Sequence, residues 1–486
     1  MTSENGQTSF WKALIEPFRN QFRKQAEKAK NRGEDQMKKV TFQGGVHPSD
    51  QKQFARDIPF TVYEPKGDMV YPLSQHIGAP AVPVVKKGDE VLAGQIIAEA
   101  GGFVSANIIS SCSGKVKSIE KRMTATGARV QSIVIENDGE FRTAEGIGTE
   151  VDYKTLTKEE ILAKIKDAGI VGLGGAGFPT HVKLAPKNVD AIEYIIANGA
   201  ECEPYITCDD QLMRGRADEI VTGMEIMLSL FPNAEGVVII EENKPEAIAA
   251  MEKACEGHAK VKVLPVQTKY PQGGERSCIT VVTGKHLKLG MLPADLGCVV
   301  DNVATIYAIY EAVCKSTPLM VKGLTVSGDA IKNPSNFLVR IGTNVAELID
   351  AAGGIKDCVE LKKAICGGPM MGFAMAGFDV PVQKSNNAVT LLGFDAVEES
   401  LANASACIKC GRCIGACSLG LVPQMMAQAA ERKDYDKFEN KLYGMECVAC
   451  GSCTYVCPAK RPLMQLFKQT KAEIMAAKRA AQAAKG

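Results

Sequence analysis

The sequence predicts a multidomain α/β protein that closes with a helical, cysteine-rich domain, and three observations carry that expectation. Residues 157–318 alternate helical and strand patterns, which implies a largely parallel sheet. Residues 40–140 break instead into short β-segments separated by turn signals, the mark of a small β module. Near the C-terminus one cysteine run is written twice at an offset of 40 residues. A chain of 486 residues has room for these parts, about three to four domains by length.

The cysteine runs are the most specific signal. Cys407, Cys410, Cys413 and Cys417, then Cys447, Cys450, Cys453 and Cys457, each follow C-x2-C-x2-C-x3-C. That is the ligand spacing of two 4Fe-4S clusters. A tight loop carries three thiolates to three corners of a cube, and the fourth cysteine, beyond a helical turn, points to the other cluster. Cys407, Cys410, Cys413 and Cys457 are therefore assigned to one cluster, and Cys417, Cys447, Cys450 and Cys453 to the second. A zinc site needs two pairs of ligands and has no use for the third cysteine of each run. A disulfide framework fits poorly with 17 cysteines, an odd number, and no secretory signal. The expected compartment is reducing and cytosolic, and the expected class is a redox protein.

The remaining elements follow in order. Within residues 1–37, Phe10, Trp11, Leu14, Ile15, Phe18 and Phe22 share one helical face and Lys12, Arg19, Arg23, Lys24 and Lys28 supply a basic remainder. This predicts an amphipathic N-terminal helix suited to an anionic membrane surface or a partner, or else packed on its own domain. Strands are expected at 81–85, 91–98, 114–119 and 130–135. The phrase from Val85 through Lys86, Lys87, Gly88 and Asp89 to Gln95 resembles the lipoyl-like barrel-sandwich domains, which implies that fold for 38–145. Their attachment lysine has no counterpart at the expected tip, Ser105-Ala106-Asn107, so a structural or docking module is expected. A domain over 150–318 should contain helices at 157–168 and 218–230 and strands at 193–198 and 236–241. Residues 319–385 read as a small α+β module and 395–467 as the cluster domain, with a helix at 423–438 between the cysteine runs and a Lys/Ala-rich helical tail at 468–486.

Composition excludes other classes. A net charge of +1 with no long basic run argues against nucleic acid. No stretch reaches the roughly 18 consecutive apolar residues of a membrane-spanning helix.

Gly172-Leu173-Gly174-Gly175-Ala176-Gly177 matches G-x-G-x-x-G, a weak signal alone, and it follows a helix where a dinucleotide fingerprint follows a strand. Absent side chains still let backbone N–H groups approach a phosphate or a flat ring. The loop continues as Phe178-Pro179-Thr180 with Lys183 close behind. Then come Asn198-Gly199-Ala200-Glu201-Cys202-Glu203-Pro204, Tyr270-Pro271-Gln272-Gly273-Gly274-Glu275 and Asp301-Asn302-Val303-Ala304-Thr305. These four motifs, in this order, resemble the flavin- and NADH-binding subunit of respiratory complex I over about residues 160–380.

With Phe42-Gln43-Gly44-Gly45-Val46-His47-Pro48, the barrel and the two cysteine runs, the whole layout resembles the C subunit of the Rnf complex, a ferredoxin:NAD oxidoreductase. The resemblance implies a Rossmann-like FMN/NADH domain, a β-grasp module at 319–385 and a two-cluster ferredoxin-like domain. It implies non-covalent FMN held by Gly172, Gly174, Gly175, Gly177, Lys183, Asn198 and Asn302, with Glu201, Tyr270 and Gly273 as further site residues. Phe178 would stack on the dinucleotide, while Glu203 and Glu275 would orient NADH for hydride transfer; no side chain is expected to act as a nucleophile or general base. Three departures from the complex I pattern, at Ala200, Gly274 and Ala185-Pro186, imply altered adenine recognition. The implied protein is peripheral on the cytoplasmic face of the cell membrane, among integral membrane subunits and a ferredoxin-like iron–sulfur subunit, coupled to Na+ or H+ transport. Cobalamin reductase of the same scaffold, or an iron–sulfur adaptor with an empty flavin site, are the alternatives. Deleting residues 1–36 is expected to release the chain from membranes with FMN and iron content unchanged, measured by fractionation and cofactor analysis. Of the smaller features, His47 reads as a turn residue, Cys202 and Cys208 as buried fillers, and Met370-Met371 as core packing.

Overall fold

The computed structural model describes residues 40–288 and 290–483, and the N-terminal helix expected at 1–37 lies outside them. The chain builds four modules, and Gly44, Gly45 and Tyr270 join the cysteine domain to the rest.

The first module is two small antiparallel sheets facing one another. One holds Met69–Pro72, Arg129–Asn137, Gly114–Met123 and Glu90–Val91; the other holds Val82–Pro83, Ile96–Glu99 and Ile108–Ile109. Met69, Tyr71, Ile97, Ile108, Val116, Ile133 and Ile135 fill the space between them. The strand expected at 91–98 divides in two, because Gly94 takes φ +92° and turns the chain. Ser105, Ala106 and Asn107, at the expected hairpin tip, are buried. The Asn107 carbonyl accepts from the Lys384 ammonium at 2.5 Å, and the Gly169 carbonyl accepts from the same group at 2.7 Å. A segment pinned in this way cannot swing, and Lys384 joins the barrel to the residues just ahead of the glycine loop. Burial of that ammonium pulls its pKa down to about 7.

The second module is a four-stranded parallel sheet in the order Val261–Val266, Glu235–Glu241, Tyr194–Gly199, Cys298–Asn302. Helix Lys158–Asp167 starts at a capping box in which the Thr157 hydroxyl accepts from Glu160 N–H and the Glu160 carboxylate accepts from Thr157 N–H. Helix Ala217–Leu230 packs through Ile220, Val221, Met224, Met227 and Leu228 in the largest core. These two helices and strands Tyr194–Gly199 and Glu235–Glu241 match the expected ones to within one residue at each end, and Val261–Val266 and Cys298–Asn302 are additional.

The third module departs from expectation. Its sheet has six strands in the order Phe60–Tyr63, Ser335–Arg340, Val321–Ser327, Ala388–Leu392, Lys363–Cys366, Phe373–Ala374. Phe60–Tyr63 comes from the region assigned to the barrel and pairs parallel to Ser335–Arg340, and Ala388–Leu392 lies beyond residue 385. The edge strand covers backbone that would otherwise remain open to another chain.

In the cysteine domain the expected helix at 423–438 ends at Glu431, after which Lys433 adopts φ +54°. The turn aims Phe438 inward against Phe467, with ring centroids 6.1 Å apart. Gly444 lies against the same ring, where an added Cβ would collide with it. The tail helix runs Leu463–Ala483, earlier than expected, and Leu463, Phe467, Thr470 and Ile474 anchor one face of it. No helix among the described residues is long and apolar enough to cross a membrane.

Candidate functional site

The parallel sheet reverses its order between Tyr194–Gly199 and Cys298–Asn302. Connections leave this pair of strands in opposite directions, which opens a crevice at their C-terminal ends, the place where α/β sheets hold ligands. Asn198 and Asn302 are register partners at those ends. The Asn302 side chain caps helix Val303–Cys314 by accepting from Ala304 N–H. It also donates to Asp209 at 2.7 Å. Asn198 donates to the Gly273 carbonyl at 2.9 Å. Two of the sequence motifs therefore meet through asparagine side chains.

The glycine loop lies over Asn302. A Cβ on Gly174 would fall 2.8 Å from that side chain, whereas one on Gly175 would meet nothing within 4 Å. Gly174, Gly175 and Ala176 are exposed, and Gly172 and Gly177 frame them: Gly172 N–H donates to the Phe178 carbonyl at 2.9 Å, and Gly177 takes φ +71° against Gln75 and His76 of the barrel. Phe178 is half-buried beside the loop. The result is an open backbone cradle with no side chain in it.

Lys183 points to the same strand ends. Its ammonium donates to the Val300 carbonyl at 2.7 Å and pairs with Asp301 at 3.0 Å. Burial alone would lower its pKa, but the Asp301 and Glu275 carboxylates outweigh burial and raise it. The second Asp301 oxygen is buried without a hydrogen-bond partner. Glu275 opens helix Glu275–Thr283 and remains exposed.

Two other glutamates are taken up by protein groups. Glu201 takes φ +45°, pairs with the buried Lys52 ammonium at 3.5 Å and accepts from Asp209 N–H at 2.6 Å. Burial pushes its carboxyl up to about 7. Oxygens of Glu201 and Asp209 and the Cys208 sulfur lie within 4.8 Å of one another, but Lys52, Asn302 and the Asp209 N–H already engage those carboxylates. Glu203 accepts from Met370 N–H at 3.0 Å and Met371 N–H at 2.8 Å, one bond to each oxygen. It is a brace for the Gly367–Met371 loop, and burial raises its carboxyl to about 7. Met371, expected in the core, is 44% exposed, because that bracing holds the loop at the surface.

Tyr270 leads from the cradle to the cysteine domain. Its ring is buried and its hydroxyl donates to the Cys450 carbonyl at 2.8 Å. Gly273 N–H donates to the Cys202 sulfur at 3.2 Å, and Cys202, Tyr270, Met370, Ala416 and Cys450 pack together with Val46. Arg276 and Glu446 add an ion pair at 2.5 Å. Gly45 N–H donates to the Ala416 carbonyl at 3.0 Å, and Gly44 approaches Cys417 so closely that a Cβ would fall 2.6 Å from its carbonyl oxygen. Lys52, Gly44 and Gly45 had no assigned role from sequence. A pair of adjacent glycines, both at φ near +80° here, was the available signal for the last two.

The two cysteine runs fold alike. Lys409 and Ala449 take φ +57° and +53°, and Gly411 and Gly451 take +76° and +82°. Lys409 N–H donates to the Cys407 sulfur and Ala449 N–H to the Cys447 sulfur, each at 3.4 Å. Short helices Arg412–Gly415 and Ser452–Tyr455 follow at matching places. Cys417, Cys447, Cys450 and Cys453 line one apolar hollow with Leu421, Met426 and Phe467. Burial and then the neighbouring Cys447, Cys450 and Cys417 thiols raise the Cys453 pKa far above its ordinary value. A bound metal would reverse that shift by drawing off the protons. Cys457 likewise acts on Cys413, whose pKa burial raises, while Cys407 and Cys410 are exposed.

Comparison with known proteins finds the same parts in the same order. Residues 165–311 match the Nuo51 FMN-binding domain, 40–140 the RnfC barrel sandwich hybrid domain, 324–374 the SLBB domain and 402–461 a 4Fe-4S dicluster domain. The chain is 45% identical to the C subunit of the proton-translocating ferredoxin:NAD(+) oxidoreductase complex of Clostridium ljungdahlii, over 90% of this chain and 94% of that one. This chain belongs to the RnfC family. Within that family it is also 41% identical to the C subunit of the Na(+)-translocating ferredoxin:NAD(+) oxidoreductase complex of Acetobacterium woodii, over 91% of this chain and 99% of that protein. The C subunit of an ion-translocating oxidoreductase complex of Rhodobacter capsulatus is 40% identical over 80% of this chain and 74% of its own length. The multidomain α/β fold with barrel, FMN-type, SLBB and dicluster modules is thereby established for an electron-transfer member of the RnfC family.

Proposed function

We propose that this chain is the NAD-reactive subunit of a membrane ferredoxin:NAD oxidoreductase complex coupled to Na+ or H+ translocation. The observation that carries the reading is the run of contacts from the open glycine cradle through Asn302, Asn198 and the Tyr270–Gly273 segment to Cys450 of the cysteine domain. The cradle, the unpartnered Asp301 oxygen and the strand-end asparagines suit FMN, and the two thiol sets suit two 4Fe-4S clusters. Bound FMN supplies the conversion between hydride transfer from NADH and the single electrons that iron–sulfur centres accept.

The protein's own work is placement. Gly174, Gly175 and Ala176 offer backbone where side chains would block close approach. Lys183 sets a positive charge at the strand ends, held there by Asp301. Glu275 stands exposed at the rim and orients the nicotinamide, whereas Glu203 acts on that geometry only through the loop it braces. The set of Cys417, Cys447, Cys450 and Cys453 adjoins Tyr270, and the set with Cys407 and Cys410 faces solvent. That arrangement supports a relay from the cradle through the inner set to the outer one, and on to a ferredoxin-like iron–sulfur subunit. The chain works peripherally on the cytoplasmic face of the membrane, alongside integral membrane subunits and with residues 1–37 as a contact.

An anaerobic titration with NADH, followed at flavin and cluster absorption bands, tests the reading. Glu275→Gln is expected to slow reduction by NADH by about tenfold or more while leaving reduction by dithionite intact, because only the first needs an oriented nicotinamide. Equal loss of both would mean misfolding, and no NADH reduction of the unaltered chain would refute the function.

A further inference from the structure

Beside the glycine loop, the barrel presents an aromatic side chain that the fold leaves unused. Phe103 is 82% exposed, more than any other large apolar side chain described, and Ile77 and Val82 are 47% and 57% exposed. The segments around them run side by side. Ala79 N–H donates to the Val104 carbonyl at 3.0 Å, and Ala106 N–H donates to the His76 ring at 3.2 Å. Gly101 and Gly102 fix the path of the Phe103 loop: a Cβ on Gly101 would collide with the Pro80 carbonyl oxygen, and one on Gly102 would fall 3.3 Å from Ala79. The near end of this ribbon is bonded to the glycine loop itself. Ile77 N–H donates to the Gly177 carbonyl at 3.2 Å, and a Cβ on Gly177 would lie 3.3 Å from the His76 Cα. The ribbon thus starts at the cradle and ends in an aromatic ring in solvent.

A phenylalanine in that position contributes almost nothing to burial on folding. A cluster of exposed apolar side chains continuous with a ligand cradle has the character of a ligand subsite. We propose that Phe103, with Ile77, forms the outer end of the dinucleotide site and stacks on the adenine ring of NAD(H), whose nicotinamide end reaches the glycine loop. The inference rests on the functional reading above and adds a second module to the site: the barrel is a wall of the nucleotide pocket as well as a spacer. Adenine is favoured over a protein partner because the patch is joined by hydrogen bonds to the cradle. A purine offers flat faces to an aromatic ring and gains affinity by stacking without sequence-specific polar contacts.

The test uses the intact, cofactor-loaded chain with Phe103→Ala and Phe103→Trp. Calorimetric titration with NAD+, which allows no turnover, is expected to show about tenfold weaker binding for Phe103→Ala and restored binding for Phe103→Trp. In NADH oxidation the alanine variant should raise KM by a similar factor with kcat unchanged. Reduced nicotinamide mononucleotide, which lacks the adenine half, should be oxidised identically by both proteins. NAD+ affinity unchanged in Phe103→Ala overturns the inference, as does an equal loss with the mononucleotide. A variant that binds NAD+ normally but dissociates from its membrane complex makes the patch a docking surface and likewise overturns it. An unaltered chain that binds no NAD+ at all refutes the functional reading itself, so the two failures are distinguishable.

Discussion

Cys450→Ala is expected to strip the inner iron–sulfur centre, lowering iron from about eight atoms per chain to about four, since each set of four thiolates suits one four-iron cube. Cys410→Ala should give the same iron count by removing the outer centre. The two variants should differ in what NADH can reduce. With Cys410→Ala, electrons still pass from the cradle to the Cys417, Cys447, Cys450 and Cys453 set, because that set adjoins Tyr270. With Cys450→Ala, the flavin should still be reduced while the remaining centre stays oxidised or fills slowly. The bond from Tyr270 goes to the Cys450 main-chain carbonyl, which alanine keeps, and the Arg276–Glu446 ion pair is untouched. Domain contact is thereby preserved and the loss reports on the centre alone. Metal analysis and electron paramagnetic resonance after NADH addition decide it. Zinc in place of iron, or about four irons in the fully loaded unaltered chain, would remove the assignment.

What could be read from the sequence was local. The cysteine spacing prescribes its own loop, and the structure repeats it at Lys409 and Ala449 and at Gly411 and Gly451, down to the sign of φ. Thr157 and Glu160 mark a helix start by chemistry confined to one turn. The helix ending at Glu431 was less legible, because Phe438 continues the apolar pattern although a turn intervenes to bury it on Phe467. Strand Phe60–Tyr63 shows a strand-like composition, but nothing within it names Ser335–Arg340 as its partner. Period reveals the type of an element and leaves its neighbour open. The same limit applies to the site. Asn198, Asn302 and the glycine loop lie together in the fold. Glu201 and Glu203, close together in the same motif, turned out to be bound to Lys52 and to the Met370-Met371 backbone, contacts made by residues far away in the chain.

Gly175→Val is expected to yield protein without FMN but with its iron intact, and the geometry explains why this glycine is the informative one. A side chain on Gly174 would collide with Asn302 at 2.8 Å, so its loss of cofactor could come from a displaced asparagine. Gly177 has φ +71° and contacts the barrel, so substitution there would strain the backbone and loosen the module beside it. Gly175 has neither constraint: no positive φ, and no atom within 4 Å of an added Cβ. The protein alone tolerates valine, and stability should change by no more than about 0.5 kcal/mol, the range of an unconstrained surface substitution. Only something laid across the loop would meet the new side chain. Thermal unfolding should accordingly be unchanged for the cofactor-free variant against cofactor-free unaltered protein, while flavin fluorescence of the denatured sample falls nearly to zero. Stoichiometric FMN retained by Gly175→Val would place the flavin elsewhere. Loss of FMN together with iron would show instead that the loop holds the cradle and the cysteine domain in one cooperative unit, through the same Tyr270 contact on which the proposed relay depends.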